Sequence, residues 1–149
     1  MVSGDEISMN VTVIGAGKMG LPLACQLARN GAHLTVCDVR EQAVALINKG
    51  HCPIDEPGIP ELLAELVKEG RLKASTDTPA AVRDSQVIIV IVPVLLTPDN
   101  DADTSIIEAV SQQIASALQP GSMVSYETTL PVGKTRRVEE SAPHPPDPA

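Results

Sequence analysis

Apolar positions along the chain follow two alternating rhythms. Short runs dense in Val and Ile recur between longer stretches where Leu, Ile and Ala return every three or four residues. The first rhythm suits strands and the second suits helices. Strands are predicted at 10–14, 33–37, 72–75, 86–92 and 122–126, and helices at 18–30, 42–48, 61–69, about 79–83 and 104–118. The first helix should turn Leu23, Ala24, Leu27 and Ala28 inward, and the third Leu62, Leu63, Leu66 and Val67. The last should bury a stripe of Ile106, Ile107, Val110, Ile114, Ala117 and Leu118. The run "QVIIVIV" is apolar on both faces, as in a central parallel strand covered on both sides. Glycines such as Gly31, Gly50 and Gly70 stand where helices should end.

Strand-helix alternation predicts an α/β fold with an open, doubly wound, mostly parallel sheet. Right-handed crossovers then place strand one near the middle, in the order 3-2-1-4-5. The folded unit is expected over 10–137, after a flexible 1–9 and before a disordered, proline-rich tail at 138–149. A chain of 149 residues can bury about 70% of its unfolded surface. With one tyrosine and no Phe or Trp, its core must be aliphatic. A sheet that stops at strand five has an unpaired edge, which predicts either marginal behaviour or self-association into a homo-oligomer.

A net charge of −8 argues against nucleic acid and against an anionic membrane surface, both of which need a basic face. The acidic start "MVSGDEIS" lacks the apolar core of a signal peptide, and the longest apolar run is too short to span a bilayer. The three cysteines, Cys25, Cys37 and Cys52, are widely spaced, so free thiols in a reducing, cytoplasmic setting are expected. No metal site is expected. His51 and Cys52 have no second ligand pair, and Asp99, Asp101 and Asp103 lack the Gly and Glu of a calcium loop.

The chemistry concentrates in Gly15-Ala16-Gly17-Lys18-Met19-Gly20, which follows a strand and opens a helix. In a dinucleotide-binding turn the first glycine permits the bend. The second lets a pyrophosphate approach the backbone, and the third lets helix and strand pack closely. The helix start offers unpaired N–H groups to the phosphates. Asp38 ends the second strand, 23 residues after Gly15, where a carboxylate can accept both ribose hydroxyls and repel a 2′-phosphate. This constellation points to NAD rather than NADP; the bland reading is a βαβ turn that binds nothing. Arg40 also has two readings. It either stacks on the adenine or softens the NAD preference, or it is an exposed residue at a helix start.

Three further stretches match one family. "IDEPGIPELL" resembles an E-P-G-L loop leading into a helix, and "IVPVLLTPDNDADTS" a V-(G/P)-T-P loop before an A-D-x-S helix start. "YETTLPVGKTRR" resembles an (E/K)-S-T-V-P-x-G-T strand end. Together with "GKMGLPLA", these resemble the NAD-binding domain of the UDP-glucose/GDP-mannose dehydrogenase family over about 10–137. The resemblance implies a Rossmann-like domain of an enzyme that oxidises the C6 alcohol of a nucleotide sugar to a carboxylate in two NAD-dependent steps. It implies that the 15–20 turn, with Lys18 and Met19, meets the pyrophosphate and that Asp38 meets the adenosine ribose. Pro93 and Val94 would line the cofactor, and Thr129 would lie near the nicotinamide.

The chain departs from the family pattern at Val94, where threonine is usual, and at Ala43 and Lys134. The resemblance places the catalytic cysteine in a G-x-C-x-x-K-D motif, which does not occur in these 149 residues. None of the three cysteines matches it, so no catalytic residue is assigned, and NAD binding without sugar oxidation is the expectation for this chain. Two alternatives remain: a β-hydroxyacid or hydroxyacyl-CoA dehydrogenase type of NAD domain, and a non-catalytic dinucleotide-sensing module.

Overall fold

The computed structural model describes residues 8–141. β1 (Asn10–Ile14) leads through the glycine turn into α1 (Gly20–Arg29), followed by β2 (His33–Cys37) and α2 (Glu41–Asn48). Next come α3 (Ile59–Lys68), β3 (Leu72–Ser75), α4 (Thr78–Arg83) and β4 (Val87–Val90). A small hairpin, β5 (Leu95–Leu96) and β6 (Ala102–Asp103), precedes α5 (Ser105–Ala117), β7 (Met123–Tyr126) and α6 (Lys134–Ser141).

The main sheet has the order β3-β2-β1-β4-β7, and every neighbouring pair is parallel. β7 is the fifth strand of this sheet in chain order, so the expected 3-2-1-4-5 arrangement is the observed one. Val13 in β1 pairs with Val36 of β2 on one side and Ile89 of β4 on the other. Alternate side chains feed two cores. Leu34, Val36, Leu72 and Ala74 pack with Leu21, Ala24, Cys25, Leu63 and Leu66 of α1 and α3. Ile88 and Val90 pack with Val82 of α4 and Ile107, Val110 and Ile114 of α5. Thr12, fully buried in β1, shares a hydrogen bond with the Ser85 hydroxyl at 2.7 Å and donates to the Ala81 carbonyl at 3.2 Å, which seats α4 on the sheet.

Several helix faces differ from expectation. α1 begins at Gly20 rather than at 18, because the preceding residues form the turn. Its buried face is Leu21, Ala24, Cys25 and Ala28, while Leu23 and Leu27 are half-buried. α3 begins at Ile59, two residues early. Gly58, at φ +82°, turns the chain so that Ile59 itself is buried, and Pro60 sits in the first turn, where no helical N–H partner is needed. α5 buries Ser111 in addition to its apolar stripe, because the Ser111 hydroxyl donates to the Ile107 carbonyl. Ile106, expected inward, is exposed.

Two elements were not foreseen. The polar loop after β4 holds the β5–β6 hairpin, closed by Asn100 at φ +61° and by the Thr97 N–H donating to Asp101 O at 2.8 Å. Two-residue strands are too short to leave a periodic signal. Past the expected boundary at 137, α6 continues to Ser141, and Val138 is only 2% exposed within the second core. One apolar residue among charged neighbours cannot announce a helix. The expected flexible start and proline-rich tail otherwise fall on residues outside those described.

Candidate functional site

Because the five strands are parallel, their carboxyl ends form one edge of the sheet. Ile14, Cys37, Val90 and Tyr126 end β1, β2, β4 and β7 there. The glycine turn leaves β1, Asp38 and Arg40 leave β2, Pro93 and Val94 follow β4, and Thr129 follows β7. The residues singled out for the cofactor therefore lie on segments that leave the sheet at this edge. The chain order reverses between β1 and β4, which is where open α/β sheets place their ligands.

The three glycines of the turn are required for different reasons. Gly15 has φ +114°, and a Cβ there would lie 1.9 Å from the Ile91 carbonyl oxygen. A Cβ on Gly20 would lie 1.9 Å from the Gly15 carbonyl oxygen, so α1 packs directly onto the turn. At Gly17 a Cβ would meet nothing within 4 Å. The protein's own packing thus explains Gly15 and Gly20, whereas Gly17 leaves open space above the backbone.

Several backbone donors of the turn are unused. The Gly15 N–H is bonded to Cys37 O and the Ala16 N–H to Asp38 Oδ2. Among the described residues the N–H groups of Gly17, Lys18 and Met19 have no acceptor, and no side chain caps α1. The Lys18 and Met19 side chains are exposed. Orphan amides at a helix start, with open space above a glycine, are chemically suited to a phosphate.

Asp38 accepts from the Ala16 N–H at 3.0 Å and from the Arg40 N–H at 2.9 Å. Arg40 also grips it with its side chain, Nε to Oδ1 at 2.9 Å and Nη2 to Oδ2 at 3.0 Å. Burial pushes the carboxyl upward. The Arg40 side-chain and backbone hydrogen bonds, the Ala16 N–H and the guanidinium charge together outweigh burial and hold Asp38 below the usual carboxylate range. Asp38 therefore stays ionised at the sheet edge.

Pro93 is exposed and Val94 half-buried on the segment after β4. Thr129 is exposed just after β7. Its neighbour Thr128, which sequence reasoning passed over, ties these two segments together. The Thr128 hydroxyl accepts from the Val92 N–H at 3.2 Å and donates to the Val92 carbonyl at 2.9 Å. The only signal for it in the sequence was a second hydroxyl residue beside Thr129.

Other candidates do not gather here. Cys25 and Cys37 are fully buried, and burial pushes both thiols up to about 11, so neither is an activated nucleophile. Among the described residues, no group of three or more His, Cys, Asp or Glu side chains is placed to hold a metal ion. No helix among them is long and apolar enough to cross a membrane. A groove of about 640 Å³, lined by residues including His33, Thr35, Arg71 and Lys73, lies on the β2–β3 face away from the glycine turn.

Comparison with known proteins places this geometry. The profile of the UDP-glucose/GDP-mannose dehydrogenase family, NAD binding domain, matches residues 9–144. The UDP-N-acetyl-D-mannosamine dehydrogenase of Salmonella typhimurium is 34% identical over 128 residues, covering 86% of this chain and 30% of that protein. The UDP-glucose 6-dehydrogenase of Pseudomonas aeruginosa is 32% identical over 132 residues, covering 89% of this chain and 29% of that protein. Among solved structures, a ternary complex of GDP-mannose dehydrogenase from Pseudomonas aeruginosa superposes with a TM-score of 0.84 at 31% identity, covering 88% of this chain and 31% of that one. The chain therefore spans about 30% of the length of the curated relatives it matches. Sheet order, glycine turn and sequence match agree: the chain belongs to the UDP-glucose/GDP-mannose dehydrogenase family, of which it carries the NAD-binding domain.

Proposed function

We propose that the 15–20 turn holds the NAD pyrophosphate on the free N–H groups of Gly17, Lys18 and Met19. In this reading Asp38 receives the adenosine ribose, and Pro93, Val94 and Thr129 border the nicotinamide side. The observation that carries it is the open space at Gly17, beside orphan amides and an ionised Asp38 bonded to the same turn. At Val94 a backbone group makes the contact that a threonine hydroxyl makes in the family pattern. NAD when bound supplies the hydride acceptor; this chain's residues bind and orient it.

The reaction served is the oxidation of a nucleotide-sugar C6 alcohol to the carboxylate, in keeping with the dehydrogenases this chain resembles. None of its cysteines supplies the nucleophile for that chemistry, so these 149 residues bind cofactor and leave sugar oxidation to other sequence. A reducing, cytoplasmic setting suits its free thiols. Among the described residues the outer edge of β7 pairs with no further strand, and in this reading copies of the chain self-associate there. A hydroxyacyl-CoA dehydrogenase type of domain would share the glycine turn, but not a family match running from 9 to 144.

Calorimetric titration with NAD tests the reading. Wild type should bind and Asp38→Ala should bind at least about tenfold more weakly, since the variant loses a charge-assisted contact. No heat of binding at millimolar NAD defeats the proposal. Robust NADH formation from UDP-sugars by this chain alone defeats its second half.

A further inference from the structure

The four hydrogen bonds that Asp38 accepts fall into two kinds. Two come from backbone N–H groups, Ala16 and Arg40, and hold the carboxylate in place whatever the Arg40 side chain does. Two come from the guanidinium, one to each carboxylate oxygen. A carboxylate offers about four lone-pair directions, so the protein's own donors fill them. The Asp38 side chain is 9% exposed and that of Arg40 57%, so the guanidinium covers the carboxylate from the solvent side. Beyond Asp38, its other contact is a long one, Nη2 to the Ala16 carbonyl at 3.5 Å.

A carboxylate in this state has no free acceptor for a ribose. The diol of an adenosine ribose brings two O–H donors, and the guanidinium contributes two displaceable ones. The backbone donors cannot leave without unwinding the turn. An exposed side chain can leave at small cost, because exposed ion pairs are worth little.

We infer that Arg40 is a displaceable latch on the ribose subsite. It competes with the ribose diol for Asp38, and so sets both the affinity for NAD and the margin by which NADP is refused. The inference rests on the proposed assignment of Asp38 to the ribose. With the latch closed, Asp38 and Arg40 form a neutral pair. A 2′-phosphate then meets no bare carboxylate, but brings one hydroxyl donor fewer to open the latch. With the guanidinium removed, the diol finds two vacant acceptor positions and a 2′-phosphate finds an uncompensated negative charge. Arg40 thus lowers NAD affinity and narrows the preference for NAD over NADP.

The test is calorimetry of NAD and NADP with wild type, Arg40→Ala and Arg40→Lys, each checked for an unchanged thermal midpoint. Arg40→Ala should bind NAD about three- to tenfold more tightly and NADP more weakly. Arg40→Lys should fall between, because an ammonium keeps the charge without the two-pronged grip. In an Asp38→Ala background the Arg40→Ala change should have no effect on NAD affinity. Equal or weaker NAD binding by folded Arg40→Ala overturns the latch while leaving the ribose assignment standing. Absence of NAD binding by both wild type and Arg40→Ala overturns the ribose assignment, and the latch with it.

Discussion

Gly15 and Ile91 touch so closely that the glycine's missing side chain is a condition of the fold: a Cβ on Gly15 would sit 1.9 Å from the Ile91 carbonyl oxygen. The same Ile91 donates its N–H to Ile14 O at 2.9 Å, so the turn leaves β1 pressed against the end of β4. This contact separates the glycines by function. Gly15→Ala and Gly20→Ala should each destabilise the domain by about 2–4 kcal/mol, through steric overlap with backbone and, at Gly15, a positive φ. Gly17→Ala should alter stability by less than about 1 kcal/mol and weaken NAD binding by roughly tenfold or more. Denaturant melts and NAD titrations of the three variants check this. A Gly17→Ala protein that binds NAD as wild type does would remove Gly17 from the site.

Thr128 and Val92 set the second constraint on the sheet edge. Thr128→Val keeps the shape but removes the hydroxyl that serves both the N–H and the carbonyl of Val92. The expected cost is about 1–2 kcal/mol, with Thr128→Ser restoring most of it. Chemical denaturation measures both. Hydrogen exchange should show the Val92 amide losing protection in the valine variant, and unchanged protection there would count against the clamp.

Asp38 makes stability depend on acid pH with a definite sign. Its folded-state pKa lies below the ordinary value, so its contribution is fully present above the unfolded carboxylate pKa of about 4. That contribution is lost as pH falls through the lower folded value. The stability difference between wild type and Asp38→Asn should hold steady from neutral pH to about pH 4 and shrink below it. Thermal melts across this range provide the measurement. A difference that does not change with pH would mean that the carboxylate charge is not what stabilises the turn.

Val138 tests how far the folded unit extends. It is buried in α6 and packs in the cluster that includes Val90 and Ile107. Val138→Ala should cost about 1–2 kcal/mol, the value of two buried carbons. Val138→Asp should release α6 and lower the helical circular dichroism signal. If both variants melt with the wild type, α6 contributes nothing to the domain's stability.

Local signals in the sequence carried the strand-helix alternation and hence the sheet order. Runs such as "QVIIVIV" and punctuating glycines act through backbone preference and side-chain period, which are properties of adjacent residues. The glycine turn and Asp38 were legible for the same reason, as was the family, whose motifs lie along one stretch of chain. Contacts between distant residues were not legible. The close approach of Gly15 to Ile91, the grip of Thr128 on Val92 and the docking of Val138 each join segments that only the closed sheet brings together. Arg40 shows the division most sharply. Its position two residues after Asp38 suggested an adenine contact or an exposed helix start. Arg40 is indeed exposed at the start of α2, and the fold also turns its guanidinium back across both oxygens of a carboxylate already held by the Ala16 amide. That outcome depends on where β1 and β2 end relative to each other, and strand pairing decides this in three dimensions.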